Sequence, residues 1–104
     1  MTVKEILKEY RRGDLDFKLE HGLLDEDTIN KVRMLNEIFE DADWTSYKLE
    51  SIKVVRMYYK EISSARVIAK IIHVSERHVY RMRDSCVEWL SDLLDNYPSP
   101  MNKL

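Results

Sequence analysis

SSARVIAKIIHVSERHVYRMRDSCVEWLSDLL, residues 63–94, contains two helical patterns separated by a short break. The first is brief, follows a capping Ser63 or Ser64, and is predicted to turn four apolar side chains inward: Ala65, Val67, Ile68 and Ile71. The periodicity stops around His73, and Ser75 is a good N-cap for a longer second helix. This stretch therefore predicts a short helix, a tight turn and a long helix.

The second helix is amphipathic along its length. Its apolar stripe carries five side chains at helical spacing: Val79, Met82, Cys86, Leu90 and Leu93. Val79 is expected to anchor this helix on the first, and Val74 to fill the angle between the two. A short helix, a tight turn and a capped longer helix are the helix-turn-helix plan, in which the second helix enters the major groove of DNA.

The outward side chains of the second helix change sign along its length. Near its start they are Glu76, Arg77, His78, Tyr80 and Arg81. Arginine there can donate two parallel hydrogen bonds to guanine or hold a phosphate by charge. Farther along, the polar side chains are acidic: Asp84, Glu88, Asp92 and Asp95. We therefore expect the first turns to face DNA and the acidic end to point away from it.

Charge is segregated along the chain as a whole. The full chain has a net charge of −2, but the segment from Lys53 to Arg83 has eight basic and two acidic residues, a net of +6, and two histidines. The rest of the chain carries −8. A positive field on one part of an acidic protein can attract polyanions. A solvated basic helix would give the same charge, but here the basic residues coincide with the helix-turn-helix pattern.

The first forty residues also have helical patterns. Thr2 and Glu5 match a capping box, and Gly13 suits a C-terminal stop. The piece from Leu15 to Leu19 is ambiguous between an extended segment and a helical turn. A further helix, capped by Asp25, Asp27 or Thr28, is predicted to carry one apolar stripe: Ile29, Val32, Leu35, Ile38 and Phe39.

The pattern breaks at Asp41-Ala42-Asp43, and Thr45 or Ser46 begins another helix. Its predicted inward side chains are Ile52, Val55 and Tyr59. With 104 residues, only 2 Gly and 2 Pro, the chain fits one all-α domain of about five helices and not a turn-rich β fold.

Three regions are predicted within this domain. Residues 1–45 form a helical segment that packs on the rest of the chain and could also support a homodimer. Residues 46–95 form the DNA-binding region, and residues 96–104, with two prolines, form a flexible tail. Trp44 and Trp89 are expected in the core or an interface.

Other functional classes find little support in the residues. One cysteine excludes an internal disulfide and suits a reducing compartment, and Cys86 fits the apolar stripe better than a nucleophile's role. The spacing of His73, His78 and Cys86 matches no zinc motif, and the paired aspartates suit helix capping. We therefore expect no enzyme activity, metal or cofactor.

No apolar run reaches the roughly 18 residues of a membrane span, and no secretory leader is expected.

Residues 54–90 resemble region 4 of the sigma-70 type of bacterial transcription factor, and more closely the carboxy-terminal domains of small phage transcription regulators of the RinA and ArpU kind. The leading helix ends in an aromatic segment, here Arg56-Met57-Tyr58-Tyr59. The family pattern that follows is matched by Ile68-Ala69, Ile72, Val74-Ser75, Val79-Tyr80-Arg81, Arg83, Cys86 and Leu90.

The resemblance implies double-stranded DNA as the ligand and the cytoplasm of a bacterial host as the location. It implies that the base-reading residues are Arg77, His78, Tyr80 and Arg81. It implies that the phosphate-facing residues are Lys60, Arg66, Lys70, Ser75 and Arg83. RNA polymerase is a possible partner for the acidic portion.

This chain departs from the family at the turn, where His73 occupies the position that glycine usually fills. We expect His73 to adopt a positive φ, at a cost of about 1 kcal/mol for a residue other than glycine.

Three functions from different classes remain open. The first is a sequence-specific transcription regulator encoded by a phage or prophage. The second is the DNA-recognition small subunit of a phage packaging terminase, whose first half would build a ring. The third is a protein-interaction module that uses the helix-turn-helix shape without DNA.

Overall fold

The computed structural model describes residues 1–40 and 47–96, and all regular structure in these ranges is helical. This confirms the all-α class, with six helices where about five were expected. They are α1 (Val3–Arg12), α2 (Leu15–Glu20), α3 (Glu26–Glu40), α4 (Tyr47–Val55), α5 (Ala65–Ile72) and α6 (Glu76–Asp95). The last residues of α4 continue into a π-helical turn, Arg56–Lys60, which we call the π turn.

Local chemistry explains where α1 begins and ends. The predicted capping box is present, since the Thr2 hydroxyl accepts from the Glu5 N–H and the Glu5 carboxylate accepts from the Thr2 N–H. The helix ends at Gly13, whose φ of 79° belongs to the left-handed region. The ambiguous piece that follows is helical, as α2, with Leu15 buried.

The inward face of α3 differs from the predicted stripe by one position. Val32, Leu35 and Phe39 are buried as expected and Ile38 is half-buried, but Ile29 is 39% exposed. Thr28 is buried instead. Positions 28, 32, 35 and 39 follow one face of the helix, whereas position 29 points at least a sixth of a turn away from each of them. The prediction for Ile29 was therefore wrong.

Two hydrophobic cores lie side by side. The first is built from α1, α2, α3, α4 and α6: Val3, Ile6, Leu7, Leu15, Val32, Leu35, Phe39, Ile52, Val55, Cys86, Val87, Leu90 and Leu94. The second is smaller and contains Val54, Met57, Ala65, Ile68, Ala69 and Val79. Both α4 and α6 contribute to the two cores, so the helix-turn-helix region and the first forty residues pack together as one body.

The π turn points neighbouring side chains in different directions. It is closed by a hydrogen bond from the Glu61 N–H to the Arg56 carbonyl, 3.0 Å, which spans five residues. Tyr58 packs against the second core and Tyr59 against the first. Both tyrosines are half-buried, so the expected inward position of Tyr59 is reached only in part.

The predicted inward face of α5 is confirmed for Ala65 and Ile68 and wrong for Val67 and Ile71. Ala65, Ile68 and Ala69 are buried, whereas Val67 is 47% exposed and Ile71 is 56% exposed. Positions 65, 68, 69 and 72 lie along one side of a helix. Because α5 is apolar at nearly every position, its composition does not indicate which side packs inward; the neighbouring helices decide it.

The turn between α5 and α6 has the predicted geometry. His73 is left-handed, with φ 59° and ψ 48°, and the Val74 N–H donates to the Ala69 carbonyl at 3.0 Å. The Ser75 hydroxyl caps α6 by accepting from the His78 N–H at 3.1 Å. Ser64, and not Ser63, caps α5 by accepting from the Val67 N–H. Val79 is completely buried and joins the two helices.

The apolar stripe of α6 follows the sequence prediction. Val79, Cys86 and Leu90 are buried, and Met82 and Leu93 are half-buried. Trp89 is half-buried against the first core. Trp44, the predicted break at Asp41–Asp43, the helix start at Thr45 or Ser46, and the tail beyond Asn96 lie outside the described residues. Within the described ranges, no helix combines the length and apolar character that a membrane span requires.

The left-handed turn gives a stability prediction. His73→Gly removes the cost of a positive φ, and we expect the free energy of unfolding to rise by about 0.5–1 kcal/mol. His78→Gly is the matched control, because the same change inside α6 should lower stability by about 1 kcal/mol. Urea unfolding followed by circular dichroism measures both. A His73→Gly protein as weakened as the control would contradict the assigned strain.

Cys86 gives a pH prediction. Burial raises the pKa of its thiol from 9.0 to about 12, so the folded chain keeps a proton that the unfolded chain loses. This contribution to stability is complete below about pH 9 and is lost as the pH rises toward 12. We expect slow labelling by a disulfide reagent at pH 8 and rapid labelling in urea. Fast stoichiometric labelling of the native protein would show that the thiol is accessible.

Candidate nucleic-acid interface

The first turns of α6 present the four predicted base-reading residues to solvent. Arg77, His78, Tyr80 and Arg81 are all exposed, and they surround the buried Val79. The Ser75 cap fixes where the helix starts, and the second core supports it from behind. These side chains therefore project toward solvent from a capped helix end.

The predicted phosphate-facing residues fall into two groups. Lys60, Arg66 and Lys70 are exposed on the π turn and α5, and the ammonium of Lys60 donates to the Asn36 side chain at 3.2 Å. Ser75 is exposed, but its hydroxyl already caps α6. Arg83 is different because only 19% of its side chain is exposed.

Arg83 is held between aromatic rings and a carboxylate. Its guanidinium lies 4.8 Å from the centre of the Tyr58 ring and 4.9 Å from that of Tyr80. It also pairs with Asp84 at 2.8 Å. Such stacking fixes the plane of a guanidinium while leaving its charge in place. Arg83 is thus positioned beside the exposed Tyr80 and is not extended into solvent.

The acidic end of α6 contacts the amino-terminal part of the chain. The Asp95 carboxylate accepts from the Val3 N–H at 3.0 Å and from the Lys31 ammonium at 3.0 Å, so it caps α1. Glu88 pairs with Lys4 at 3.0 Å. The change from arginine to aspartate and glutamate along α6 therefore separates an exposed cationic start from an end that binds α1.

Arg83 also belongs to a second group of cations, whose other members were not predicted from the sequence. A cleft of about 480 Å³ lies between α1, the π turn and α6, and we call it the basic cleft. Its lining residues are Lys8, Arg11, Arg12, Tyr58, Tyr59 and Arg83. The sequence gives little signal for it, because three of these cations lie in the acidic first half, more than 70 residues before Arg83.

Arg11 is the most constrained cation of the basic cleft. One guanidinium nitrogen donates to the Tyr58 carbonyl at 2.5 Å and to the Ser63 carbonyl at 3.2 Å. The guanidinium also lies 4.0 Å from the centre of the Tyr58 ring. Tyr59 meets Tyr58 edge to face, with 4.9 Å between ring centres. Burial raises the pKa of Tyr59 and the nearby Arg83 lowers it, with a net rise, so its hydroxyl stays neutral at physiological pH.

Among the described residues, no group of three His, Cys, Asp or Glu side chains is arranged to hold a metal ion. The Cys86 thiol is buried in the first core.

No family model, curated protein or solved structure matches this chain. The described site is therefore a surface of exposed cations and aromatic rings on and beside α6.

Arg11 allows a stability prediction. Arg11→Met removes the donor for two carbonyls, one in the π turn and one at Ser63, and we expect the free energy of unfolding to fall by about 1–3 kcal/mol. Arg12→Met, at the exposed neighbouring position, should change it by no more than about 0.5 kcal/mol. Urea unfolding of the two variants measures the difference. Equal stability of both variants would mean that the Arg11 contacts contribute nothing.

Proposed function

We propose that this chain is a sequence-specific DNA-binding transcription regulator, encoded by a phage or prophage and acting in the cytoplasm of the bacterial host. The observation that carries this proposal is the exposed start of α6, where Arg77, His78, Tyr80 and Arg81 project from a capped and supported helix. Groove-reading helices place such side chains in their first turns. The sequence resemblance to sigma-70 region 4 supports the same function.

In this proposal, the start of α6 lies in the major groove. Arg77 and Arg81 can each make paired hydrogen bonds to guanine, and His78 and Tyr80 contact neighbouring base edges. The exposed Lys60, Arg66 and Lys70 hold the phosphate backbone, while Ser75 fixes the helix start near it. Phosphate contacts of this kind set the register of the protein on the duplex, and the base contacts supply specificity.

The acidic end of α6 and the first helices lie away from the groove. One such module contacts few base pairs, so a homodimer on a two-fold symmetric site would supply more affinity. RNA polymerase is the partner proposed for the acidic portion. The net charge of −8 outside the segment from Lys53 to Arg83 turns most of that portion away from the phosphates.

One observation favours a second candidate function, a protein-interaction module. Val67 and Ile71 lie one turn apart on α5, and both are about half exposed. An exposed apolar pair of this kind can contact another protein. Salt dependence separates the two functions, because DNA binding weakens with a log–log slope of about −0.9 for each phosphate contact, whereas an apolar contact is nearly insensitive to salt.

The test of DNA binding begins with selection of bound sequences from a random duplex pool. Affinity for the selected site is then measured by fluorescence anisotropy over a salt series, with the parent protein and Arg81→Ala. We expect Arg81→Ala to lose about 1–3 kcal/mol on the selected site and little on random DNA, because it removes a base contact. A palindromic selected sequence would also indicate a dimer.

Asp92→Ala is the matched control, since Asp92 is an exposed residue near the other end of the same helix. It should bind DNA as the parent does, and a large loss would mean that α6 is placed in the opposite direction. If the parent selects no sequence and its binding does not vary with salt, the DNA-binding proposal fails.

A further inference from the structure

We propose that the basic cleft binds a phosphate of the DNA backbone on the strand that flanks the groove occupied by α6. This inference rests on the proposed function and adds a contact from the acidic first half of the chain. The ligand is a phosphodiester, and the residues that would hold it are Lys8, Arg11, Arg12 and Arg83, with Tyr58 as their support.

The charge of the cleft is the first argument. Four of its six lining residues are cations, the other two are tyrosines, and none is acidic. Glu9, which lies among these cations in the sequence, is turned away and buried, with its carboxylate 3.0 Å from the ammonium of Lys18. Asp84 pairs with Arg83 at 2.8 Å, but the other three cations of the cleft have no ion-pair partner among the described residues. The cleft therefore presents an excess of positive charge to an anion.

Complementing the helix dipole does not account for this cluster. Cations in the last turn of a helix are stabilised by the carbonyl groups there, and this explains Arg11 and Arg12 on α1. It does not explain why Arg83, which comes from the middle of α6, is brought to the same cleft. The two helices bring their cations together through Tyr58, whose ring contacts the guanidiniums of both Arg11 and Arg83.

Preorganisation is the second argument. Arg11 is fixed by two backbone carbonyls and Arg83 by two aromatic rings and Asp84. Guanidiniums that are already held lose little conformational freedom when they bind a phosphate. Lys8 and Arg12 are exposed and make no hydrogen bond or ion pair within the described residues, so their charges are available to the ligand.

Continuity with the base-reading surface is the third argument. Tyr80, Arg83, Tyr58 and Arg11 form an unbroken row in which each guanidinium lies 4.0–4.9 Å from the neighbouring ring centres. The row begins at an exposed side chain of the recognition helix and ends in the basic cleft. A duplex that Tyr80 touches therefore brings its backbone past the cleft, where a phosphate meets fixed charge.

The first experiment pairs two exposed arginines, Arg12 in the cleft and Arg33 on α3. Arg12→Glu and Arg33→Glu change the net charge equally, so their comparison removes the effect of net charge alone. We expect only Arg12→Glu to reduce the salt slope of binding to the selected duplex by about 1, with an affinity several-fold lower than that of Arg33→Glu at low salt.

The second experiment locates the contact on the DNA. Neutral methylphosphonates are placed one at a time along the backbone of the selected duplex, and binding of the parent and both variants is measured. We expect one flanking position where the neutral linkage weakens the parent and Arg33→Glu but leaves Arg12→Glu unchanged. This coupling would assign that phosphate to the cleft, because a merely structural effect of Arg12→Glu would not depend on position.

The outcomes separate this inference from the proposed function. If the parent binds the selected site and Arg81→Ala weakens it, but no backbone position couples to Arg12, the cleft inference alone is wrong. If the parent binds no duplex, both are wrong. The last outcome comes from titrating the protein with inorganic phosphate. If that binding depends on Arg12 but no backbone position of the DNA couples to Arg12, the ligand of the cleft is free phosphate and not the DNA backbone.

Discussion

Val79 and Leu90 are both completely buried, in different hydrophobic cores, and one unbroken helix carries them. Because α6 is shared in this way, the turn with α5 and the packing against α1 constrain the same rigid rod. Rotation of α6 about its axis would withdraw both side chains together, because they lie about three turns apart on the same side of the helix. The direction in which the exposed start of α6 projects is therefore fixed by the whole molecule, including the acidic half.

The two ends of α6 are held by different chemistry. At its start, the Ser75 hydroxyl and the left-handed His73 define the first turn without covering it. At its end, the Asp95 carboxylate binds the first N–H of α1 and the ammonium of Lys31. The segregated charge of α6 thus has a structural role beside the proposed functional role. Acidic side chains near the end of α6 attach α1, and the exposed cations at its start have no ion-pair partner among the described residues.

The features that could be predicted from the sequence are those that depend on residues close together in the chain. The Ser75 cap, the positive φ of His73 and the burial of Val79 could be predicted because each depends on residues within one turn. The inward face of α5 could not, since Val67 and Ile71 are as apolar as Ile68 and only the neighbouring helices choose between them. The basic cleft was missed for a related reason: Arg11 and Arg83 meet through Tyr58 across a long stretch of sequence, and no spacing rule joins them.

The π turn makes the length of the chain between α4 and α5 unusually strict. Its extra residue lets Tyr58 and Tyr59, adjacent in sequence, serve two separate cores. Surface loops tolerate gain or loss of a residue because nothing depends on their count. Here a single-residue deletion would restore ordinary helical winding, and an ordinary turn has one position fewer, so Met57, Tyr58 and Tyr59 could not all keep their places in the two cores. The segment therefore acts as a spacer of fixed size, which a deletion would disturb more than a substitution.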